Sequence, residues 1–419
     1  MNDSTQSENK KSASICEICE QYSVFSYMLS QRQLFLNHIA QTSETPLSLE
    51  IEKAEGVYLF DTSGKRYLDL ISGISVSNVG HRHPKVVSAI KEQVDKYMHT
   101  MVYGEYIQTP QVKLAKHLAD NLPANLSSVY FVNSGSEAIE GAMKLAKRFT
   151  GRTEIVSFKN GYHGSTQGSL SIMGNEEFKN AFRPLLPDTK QIEFNNTTDF
   201  SQITNQTACV VVETIQGEAG AIVPTNDFLK KLSLHCKASG TLLVADEIQC
   251  GFGRTGKLFA FEHYGFVPDV ICLAKGMGGG MPIGAFISSK EIMNSLTHNP
   301  ILGHITTFGG HPVCCAAADA TLGVLLEEKL MDGVEAKEQL FRTLLKHPKI
   351  KSIHGKGLLL SVEFESYEQN KSIIDKCIAK GVITDWFLFN SHSMRIAPPL
   401  TIAEEEIKFA CKVIMESIN

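Results

Sequence analysis

The sequence predicts an α/β fold, with a mainly parallel central sheet in a large domain and a smaller α+β domain. Apolar segments of strand length recur between residues 129 and 288, and helix-like segments separate them. This alternation is typical of a parallel sheet, because parallel strands need long crossover connections that are usually helical. The chain has 419 residues, which is long for a single hydrophobic core, so two domains are expected.

Four regions are expected along the chain. Residues 1–24 are polar and rich in Ser, Glu, Asn and Lys, which predicts a loosely ordered leader. Residues 25–75 contain a predicted helix at 24–40 and a β-hairpin, and form the N-terminal part of the small domain. The large domain follows at 76–310, and residues 311–419 complete the small domain.

The large domain contains the predicted sheet. Its strand candidates are 129–132, 155–158, 209–212, 242–245, 270–274 and 283–288. The clearest helix runs from Ser134 to Phe149, where Ala138, Ala142 and Leu145 recur at helical spacing. Beyond residue 311 the pattern predicts two helices, three short strands and a closing helix that begins near Ala403.

Three ionisable residues close three of the predicted strands. Lys275 follows the strand 270–274, Asp246 follows the strand 242–245, and Glu213 follows the strand 209–212. Ligands of open α/β sheets bind beyond the carboxyl ends of the strands. An amine that can form an imine, beside an acid that can hold a pyridinium proton, suggests pyridoxal phosphate chemistry.

Composition and charge exclude several other classes of function. The net charge is −5, so no basic surface indicates nucleic acid or an anionic membrane. No apolar run reaches the length of a membrane-spanning helix, and the polar start lacks the apolar segment of a signal peptide. The ten cysteines are expected to be free thiols in the reducing cytosol, which predicts a cytoplasmic protein.

Two short motifs could be mistaken for metal sites. Cys16 and Cys19 form a single CxxC in the leader, without a second half nearby. His81 and His83 precede a proline without other ligands at zinc spacing, so a turn is the better interpretation and no metal is expected.

A glycine-rich segment resembles two nucleotide-binding motifs. Gly251, Gly253 and Gly256 match the dinucleotide spacing, and Lys257 extends the match to most of a P-loop. A P-loop needs Ser or Thr at the next position, which is Leu258, and no helix is predicted directly after the segment. Both matches are interpreted as chance.

Other motifs allow two interpretations each. Ser134, Gly135 and Ser136 lie between a strand and a helix, where they could bind phosphate or simply cap the helix. Tyr162 could stack on a flat cofactor with His163 beside it, or the pair could be a packed ring and a solvated imidazole.

Three charged residues, Glu213, Glu218 and Arg395, also allow two interpretations each. Glu213 and Glu218 could belong to a site or to a solvated loop. Arg395 lies in an apolar stretch and needs a carboxylate, from the protein or from a substrate.

The order of these motifs closely resembles the class III pyridoxal-phosphate aminotransferases, the group of the acetylornithine, ornithine and 4-aminobutyrate aminotransferases. The resemblance covers roughly residues 35–415, and its most specific parts are 244–249 and 274–276. It implies the fold type I of these enzymes. It also implies transfer of an amino group from an amino acid or ω-amine to a 2-oxo acid.

The resemblance assigns most of the cofactor site. Lys275 would carry the aldimine and move the proton from the substrate, and Asp246 would pair with the pyridine nitrogen. Ile248 and Tyr162 would pack on the two faces of the ring, and Gln249 would bind its phenolic oxygen.

Further residues would complete the implied cofactor site. Gly135 and Ser136 would hold the phosphate, and Ser134 and His163 belong to the same site. Thr307 matches a threonine that reaches the phosphate of the partner subunit, which implies a homodimer with shared sites.

The resemblance also assigns substrate contacts. Arg395 would bind the α-carboxylate of glutamate or a 2-oxo acid, and Glu218 would neutralise Arg395 when a substrate lacks that group. Glu213 matches an acid near the cofactor. Ornithine and 4-aminobutyrate aminotransferases carry an arginine for a substrate carboxylate at the position of Ser165, and serine supplies no charge.

Two other functions remain open on the same scaffold. One is a pyridoxal-phosphate aminomutase or decarboxylase. The presence of both Arg395 and Glu218 favours an exchange of two substrates, and therefore an aminotransferase, over this alternative. The other is a non-catalytic protein, which would need neither Lys275 nor Asp246.

Overall fold

The computed structural model describes residues 29–225 and 227–419. The predicted leader and its CxxC motif lie outside these residues. The chain divides into two compact units, of which the first is Met1–Lys53 with Phe60–Lys65 and the second is Ala54–Leu59 with Arg66–Asn419.

The first unit contains one described helix, α1 (Gln31–His38). The Ser30 side chain accepts from the backbone N–H of Gln33, and the Gln33 side chain accepts from the Ser30 N–H at 2.8 Å. This reciprocal capping explains where the helix begins. Of the helix predicted at 24–40, positions 24–28 lie outside the described residues, and the described part is helical at Gln31–His38. Strands β1 (Ile51–Glu55) and β2 (Tyr58–Asp61) run from one unit into the other.

The second unit is built on a seven-stranded sheet in the order β4-β10-β9-β8-β7-β5-β6. Its strands are β4 (Ser128–Val132), β5 (Glu154–Phe158), β6 (Thr189–Ile192), β7 (Thr207–Glu213), β8 (Leu242–Asp246), β9 (Val270–Leu273) and β10 (Gly284–Ser288). Only β10 is antiparallel to its neighbours, β4 and β9. The mainly parallel sheet predicted from the sequence is confirmed.

Burial on both faces explains why the central strands are apolar throughout. Every residue of β7, β8, β9 and β10 is buried. Parallel strands covered by helices on both faces lose the alternation of apolar and polar residues. The helix α4 (Gly135–Thr150) packs on this sheet, with Ala138, Ala142 and Leu145 in its core.

Nine further α-helices surround the strands or follow them in the described part of the second unit. They are α2 (Pro84–Lys96), α3 (Thr109–Asp120), α5 (Gln167–Ser171), α6 (Phe228–Ser239), α7 (Lys290–Met293), α8 (Pro312–Glu327), α9 (Val334–Leu344), α10 (Tyr367–Ala379) and α11 (Glu404–Ile418), with α4 as given above. Between Ser72 and Ser75 the backbone makes a tight turn with positive φ at each residue, and no regular helix forms there. In the described ranges, no helix has both the length and the apolar character to cross a bilayer.

The C-terminal region forms a second sheet in the order β11-β12-β15-β14. Its strands are β11 (Ser352–Lys356), β12 (Leu359–Glu363), β14 (Trp386–Phe387) and β15 (Asn390–Ile396). A short strand, β13 (Val382–Ile383), instead pairs in parallel with β3 (Arg66–Asp69). The mixture of helices and strands predicted beyond residue 311 is present, with β11 and β14 as additional strands.

The glycine-rich segment at 251–257 is a buried loop with a structural role. Arg254 is fully buried and donates to the carbonyl oxygens of Leu358 and Pro398 and to Asn78 Oδ1. These three acceptors compensate for much of the cost of burying the guanidinium group. The loop therefore ties distant segments together, and no helix follows it directly as a nucleotide motif requires.

Candidate active site

A cavity of about 400 Å³ opens at the carboxyl ends of the central strands. Most of the residues that the sequence singled out line it. They are Ser134, Gly135, Ser136, Tyr162, His163, Glu213, Asp246, Ile248, Gln249 and Lys275. Residues up to 141 positions apart meet here because parallel strands end at one edge of the sheet. Apolar side chains complete the wall, among them Val76, Ile215, Met281 and Ile283.

Lys275 lies just beyond β9, on a strained backbone. Its φ is 44°, in the left-handed region that side chains other than glycine seldom adopt. Burial lowers the pKa of Lys275, although Glu218 and Asp246 act in the opposite direction. A lower pKa makes the neutral, nucleophilic amine more accessible near neutral pH.

Asp246 and His163 form a buried pair on the cavity wall. Asp246 Oδ2 lies 2.8 Å from His163 Nδ1, and Asp246 Oδ1 accepts from the N–H of Ile248 at 3.0 Å. Burial alone would lower the pKa of His163, but Asp246 and Glu213 raise it above its usual value. His163 is therefore buried and paired, and the solvated imidazole considered from the sequence is absent.

Glu213 stands beside Asp246 because β7 and β8 pair in register at these two residues. It accepts from the N–H groups of Tyr162 at 2.9 Å and Gly217 at 3.0 Å. Burial, with Asp246 nearby, raises the pKa of Glu213 to about 7. The solvated-loop interpretation of Glu213 is wrong, since this carboxyl group is buried in the site.

The N-terminus of α4 opens on the cavity. Ser134 is the N-cap, and its hydroxyl accepts from the Glu137 N–H at 3.2 Å. The first backbone N–H groups of a helix lack intrahelical partners and favour an anion. Gly135 is needed here, because a Cβ at this position would lie 2.9 Å from the Ile248 side chain. The segment thus combines capping with an anion-binding geometry.

Tyr162 connects the cavity to an aromatic cluster. Its hydroxyl lies 3.3 Å from Ser165 Oγ, and its ring centroid lies 6.2 Å from that of Phe389. Phe389 in turn contacts Phe178, with ring centroids 5.2 Å apart. Ser165 is exposed, and its N–H donates to Ser136 Oγ at 3.3 Å.

Arg395 and Glu218 lie outside the cavity lining and form a buried, bidentate ion pair. Arg395 Nη1 and Nη2 donate to the two Glu218 oxygens at 3.1 and 3.0 Å. Gln249, which lines the cavity, donates to Glu218 Oε1 at 3.3 Å and so links the pair to the cavity. Burial alone would raise the pKa of Glu218, but Arg395 holds it below its usual value.

Thr307 is the one predicted cofactor residue that does not line the cavity of its own chain. It is exposed, and the neighbouring Phe308 is 53% exposed. Its neighbour Thr306 instead accepts from the Asn133 side chain at 3.1 Å.

Sequence reasoning missed Asp385, whose carboxylate lies 2.8 Å from Arg395 Nε. The two residues are ten positions apart in the sequence, and the hairpin formed by β14 and β15 brings them together. The signal that could have identified it was the need of a buried arginine for a carboxylate on each edge of its guanidinium group.

Comparison with known proteins places the chain in a family. The family described as Aminotransferase class-III matches residues 39–418. The acetylornithine aminotransferase of Methanopyrus kandleri is 38% identical over 385 residues, which are 91% of this chain and 97% of the relative. That of Bacillus subtilis is 38% identical over 379 residues, 88% of this chain and 95% of the relative.

Solved structures agree in fold. The ornithine aminotransferase from Toxoplasma gondii superposes with a TM-score of 0.87 at 29% identity, covering 95% of this chain and 97% of that chain. The adenosylmethionine-8-amino-7-oxononanoate aminotransferase of Methanocaldococcus jannaschii gives 0.85 at 29% identity, covering 92% and 98%. The family match and these relatives together carry the assignment: the chain belongs to the class III aminotransferases and is a pyridoxal-phosphate-dependent transaminase of fold type I.

Proposed function

We propose that this transaminase moves the amino group of an acetylornithine-like donor to a 2-oxo acid by way of a cofactor bound at Lys275. The observation that carries the proposal is the meeting of Lys275, Asp246 and the α4 N-terminus in one cavity. The acetylornithine aminotransferases at 36–39% identity support this donor class.

The cavity residues fit pyridoxal phosphate. Ser134, Gly135 and Ser136 would hold the phosphate at the α4 N-terminus. Asp246, kept in place by His163 and the Ile248 N–H, would hold the proton of the pyridine nitrogen. Bound in this way, the cofactor supplies an electron sink for the substrate carbanion.

The other cavity residues would orient the ring. Ile248 and Tyr162 would pack on its two faces, and Gln249 would bind its phenolic oxygen. Glu213, next to Asp246 in register, would hold the Tyr162 backbone against the site through its hydrogen bond to the Tyr162 N–H.

Lys275 would bind the cofactor carbonyl and then act as the base that moves the substrate Cα proton. Both roles need the neutral amine, and the lowered pKa of Lys275 supports them. Lys275 would therefore have to be a free amine when it takes the substrate proton.

Arg395 and Glu218 would let one pocket accept two unlike substrates. With a donor whose reacting carbon carries no carboxylate, Glu218 would stay on Arg395, as the ion pair stands here. With a 2-oxo acid, the substrate carboxylate would replace Glu218 on the same two nitrogens. This exchange favours transamination over the aminomutase or decarboxylase alternative.

A half-reaction screen tests the proposal. Holoenzyme is mixed with single amino compounds, including N-acetylornithine, ornithine and 4-aminobutyrate, and the visible absorbance of the bound cofactor is followed. We expect N-acetylornithine to give a rapid change that 2-oxoglutarate or pyruvate reverses. The proposal is contradicted if the donor is consumed without the later formation of an amino acid from the added oxo acid.

We also propose a homodimer in which Thr307 serves the phosphate site of the partner subunit. Exposed apolar side chains on the segments that include Thr307 and residues 98–112 support this, among them Ile107, 95% exposed, and Ile301, 77% exposed. Apolar residues grouped on a surface in this way are typical of subunit contacts.

We also propose how the chain divides into domains and where in the cell the protein is found. Residues 76–310 would form the cofactor-binding domain, and 25–75 with 311–419 the smaller domain. A cytoplasmic location is supported by the eight described cysteines, all buried and free of disulfides.

A further inference from the structure

Arg395 is held between two carboxylates on opposite edges of its guanidinium group. The Nη edge pairs with Glu218, and the Nε edge pairs with Asp385 Oδ1 at 2.8 Å. The ring of Phe387 supports the face of the group, with Arg395 Cζ 4.3 Å from the ring centroid. The arginine is almost fully buried, with 2% of its side chain exposed.

The two carboxylates belong to different parts of the chain. Asp385 lies on the hairpin that carries Arg395, and its carbonyl oxygen accepts from the Arg395 N–H at 2.8 Å. The preceding residue, Thr384, donates to the Arg395 carbonyl oxygen at 2.5 Å. Glu218 comes from the loop after β7 and is also held by the Leu388 N–H and the Gln249 side chain. Glu218 can therefore move away without loosening the contact between Asp385 and Arg395.

The charges also distinguish the two contacts. If Glu218 left and Asp385 were absent, Arg395 would be a buried cation without a carboxylate partner, which is strongly unfavourable. With Asp385 in place, the cation stays paired and its Nη edge keeps its direction. A carboxylate that arrives at that edge then finds both donors already oriented, as preorganised sites require.

We propose that Asp385 is a positioning residue for the amino acceptor, holding the Nε edge of Arg395 while the Nη edge exchanges Glu218 for the carboxylate of a 2-oxo acid. The inference rests on the proposed function of Arg395 and adds a residue that sets the strength of acceptor binding. Asp385 touches neither the donor nor the cofactor in this account. Its loss should therefore affect one half-reaction and spare the other.

Single-turnover measurements on the separate half-reactions test this role. The acceptor half uses enzyme loaded with pyridoxamine phosphate and mixed with 2-oxoglutarate. The donor half uses the pyridoxal phosphate enzyme and N-acetylornithine, whose terminal reacting carbon carries no carboxylate. Asp385→Ala should raise the half-saturating 2-oxoglutarate concentration about tenfold, equivalent to about 1.4 kcal/mol. In the donor half-reaction, the half-saturating N-acetylornithine concentration should stay within about twofold of the wild-type value.

Two further variants separate positioning from folding. Asp385→Asn keeps an oxygen for Arg395 Nε and should recover most of the lost acceptor affinity. Asp375→Ala removes an exposed carboxylate paired with Lys371 and should leave both half-reactions unchanged. The inference is overturned if Asp385→Ala weakens both half-reactions by the same factor, or if it leaves 2-oxoglutarate binding unchanged.

Arg395→Gln distinguishes a failure of this inference from a failure of the proposed function. If Arg395→Gln weakens 2-oxoglutarate binding and Asp385→Ala does not, the role of Asp385 alone is wrong. If Arg395→Gln also has no effect on 2-oxoglutarate, the proposed carboxylate site at Arg395 is wrong and the inference falls with it.

Discussion

Asp246 is a buried carboxylate on the cavity wall, and we propose that it controls the charge of the cofactor ring. It is 4% exposed, and its partners are His163 and the Ile248 N–H. Two donors keep it in place and leave it available to a cationic ring nitrogen. A structural carboxylate at this position would need no ligand-facing side, whereas Asp246 lines the cavity.

Replacing Asp246 should slow the reaction strongly. Asp246→Ala removes the partner of a buried cation, at a cost of roughly 3–5 kcal/mol. At 1.36 kcal/mol per tenfold, kcat/KM should fall by ~10²–10⁴. Steady-state rates of holoenzyme at saturating cofactor measure this, with Asp375→Ala as the exposed control. Activity close to wild type would remove Asp246 from the proposed site.

Ser165 should weaken the preference for a dicarboxylic acceptor. The hydroxyl supplies no charge, and a charged bidentate contact is typically stronger than a neutral hydrogen bond by about 1–2 kcal/mol. We therefore expect 2-oxoglutarate to be preferred over pyruvate less strongly than in ornithine and 4-aminobutyrate aminotransferases, by roughly tenfold. Arg183 is another basic group that could bind the distal carboxylate of 2-oxoglutarate, but it is already paired with Glu176 at 2.6 Å.

The matched variants Ser165→Arg and Ser165→Gln test that expectation. Only the arginine should raise kcat/KM for 2-oxoglutarate, because it carries a positive charge and glutamine is neutral. Both substitutions should change kcat/KM for pyruvate by the same factor. A wild-type enzyme that prefers 2-oxoglutarate by several orders of magnitude, and loses that preference on Ser165→Arg, would show that another group binds the distal carboxylate.

At the scale of single elements, α4 combines an N-terminus that lines the cavity with tight packing in its middle. Gly141 faces Phe286 of β10, and a Cβ there would lie 2.3 Å from the ring. Gly323 in α8 has a side-chain oxygen at 3.8 Å as its nearest neighbour to such a Cβ. The same substitution should therefore act in opposite directions at these two helical glycines.

Gly141→Ala should destabilise the protein, and Gly323→Ala should stabilise it. Alanine favours a helix by about 1 kcal/mol over glycine, but overpacking against Phe286 typically costs about 1–3 kcal/mol. Thermal unfolding of the two holoenzymes should give midpoints on opposite sides of the wild-type value. Equal shifts in one direction would mean that the contact at Gly141 relaxes without cost.

The central strands could be predicted because they are buried on both faces and therefore appear as continuous apolar runs. The strands β6 and β11 could not, since TKQI and SIHGK are polar, partly exposed segments. The left-handed turn at Ser72–Ser75 has only one glycine to indicate it. In each case tertiary contacts override the local signal.

The site was predictable to the extent that it lies at strand ends. Lys275, Asp246 and Glu213 each follow or close a buried strand, so their positions could be inferred from the pattern alone. Asp385 and the burial of His163 depend on contacts across 10 and 83 positions, which no local pattern encodes. Family resemblance supplied the proposed roles that geometry alone leaves open.

At the scale of the whole molecule, the active unit should be a homodimer with shared sites. If Thr307 serves the partner, mixing Lys275→Ala with Thr307→Ala chains should produce hybrids with one intact site and one doubly damaged site. Activity should then exceed that of either variant alone, measured after subunit exchange. Sedimentation should show a dimer throughout, and full activity in a strictly monomeric form would contradict the shared site.

The central claim is that Lys275 is the amine that binds the cofactor carbonyl. Borohydride reduction of the holoenzyme fixes that link, and mass spectrometry of the digested protein locates it. The account predicts the added mass of the reduced cofactor on the peptide containing Lys275, and no such peptide from Lys275→Ala. Attachment at a different lysine, or recovery of the cofactor entirely free after reduction, would contradict it.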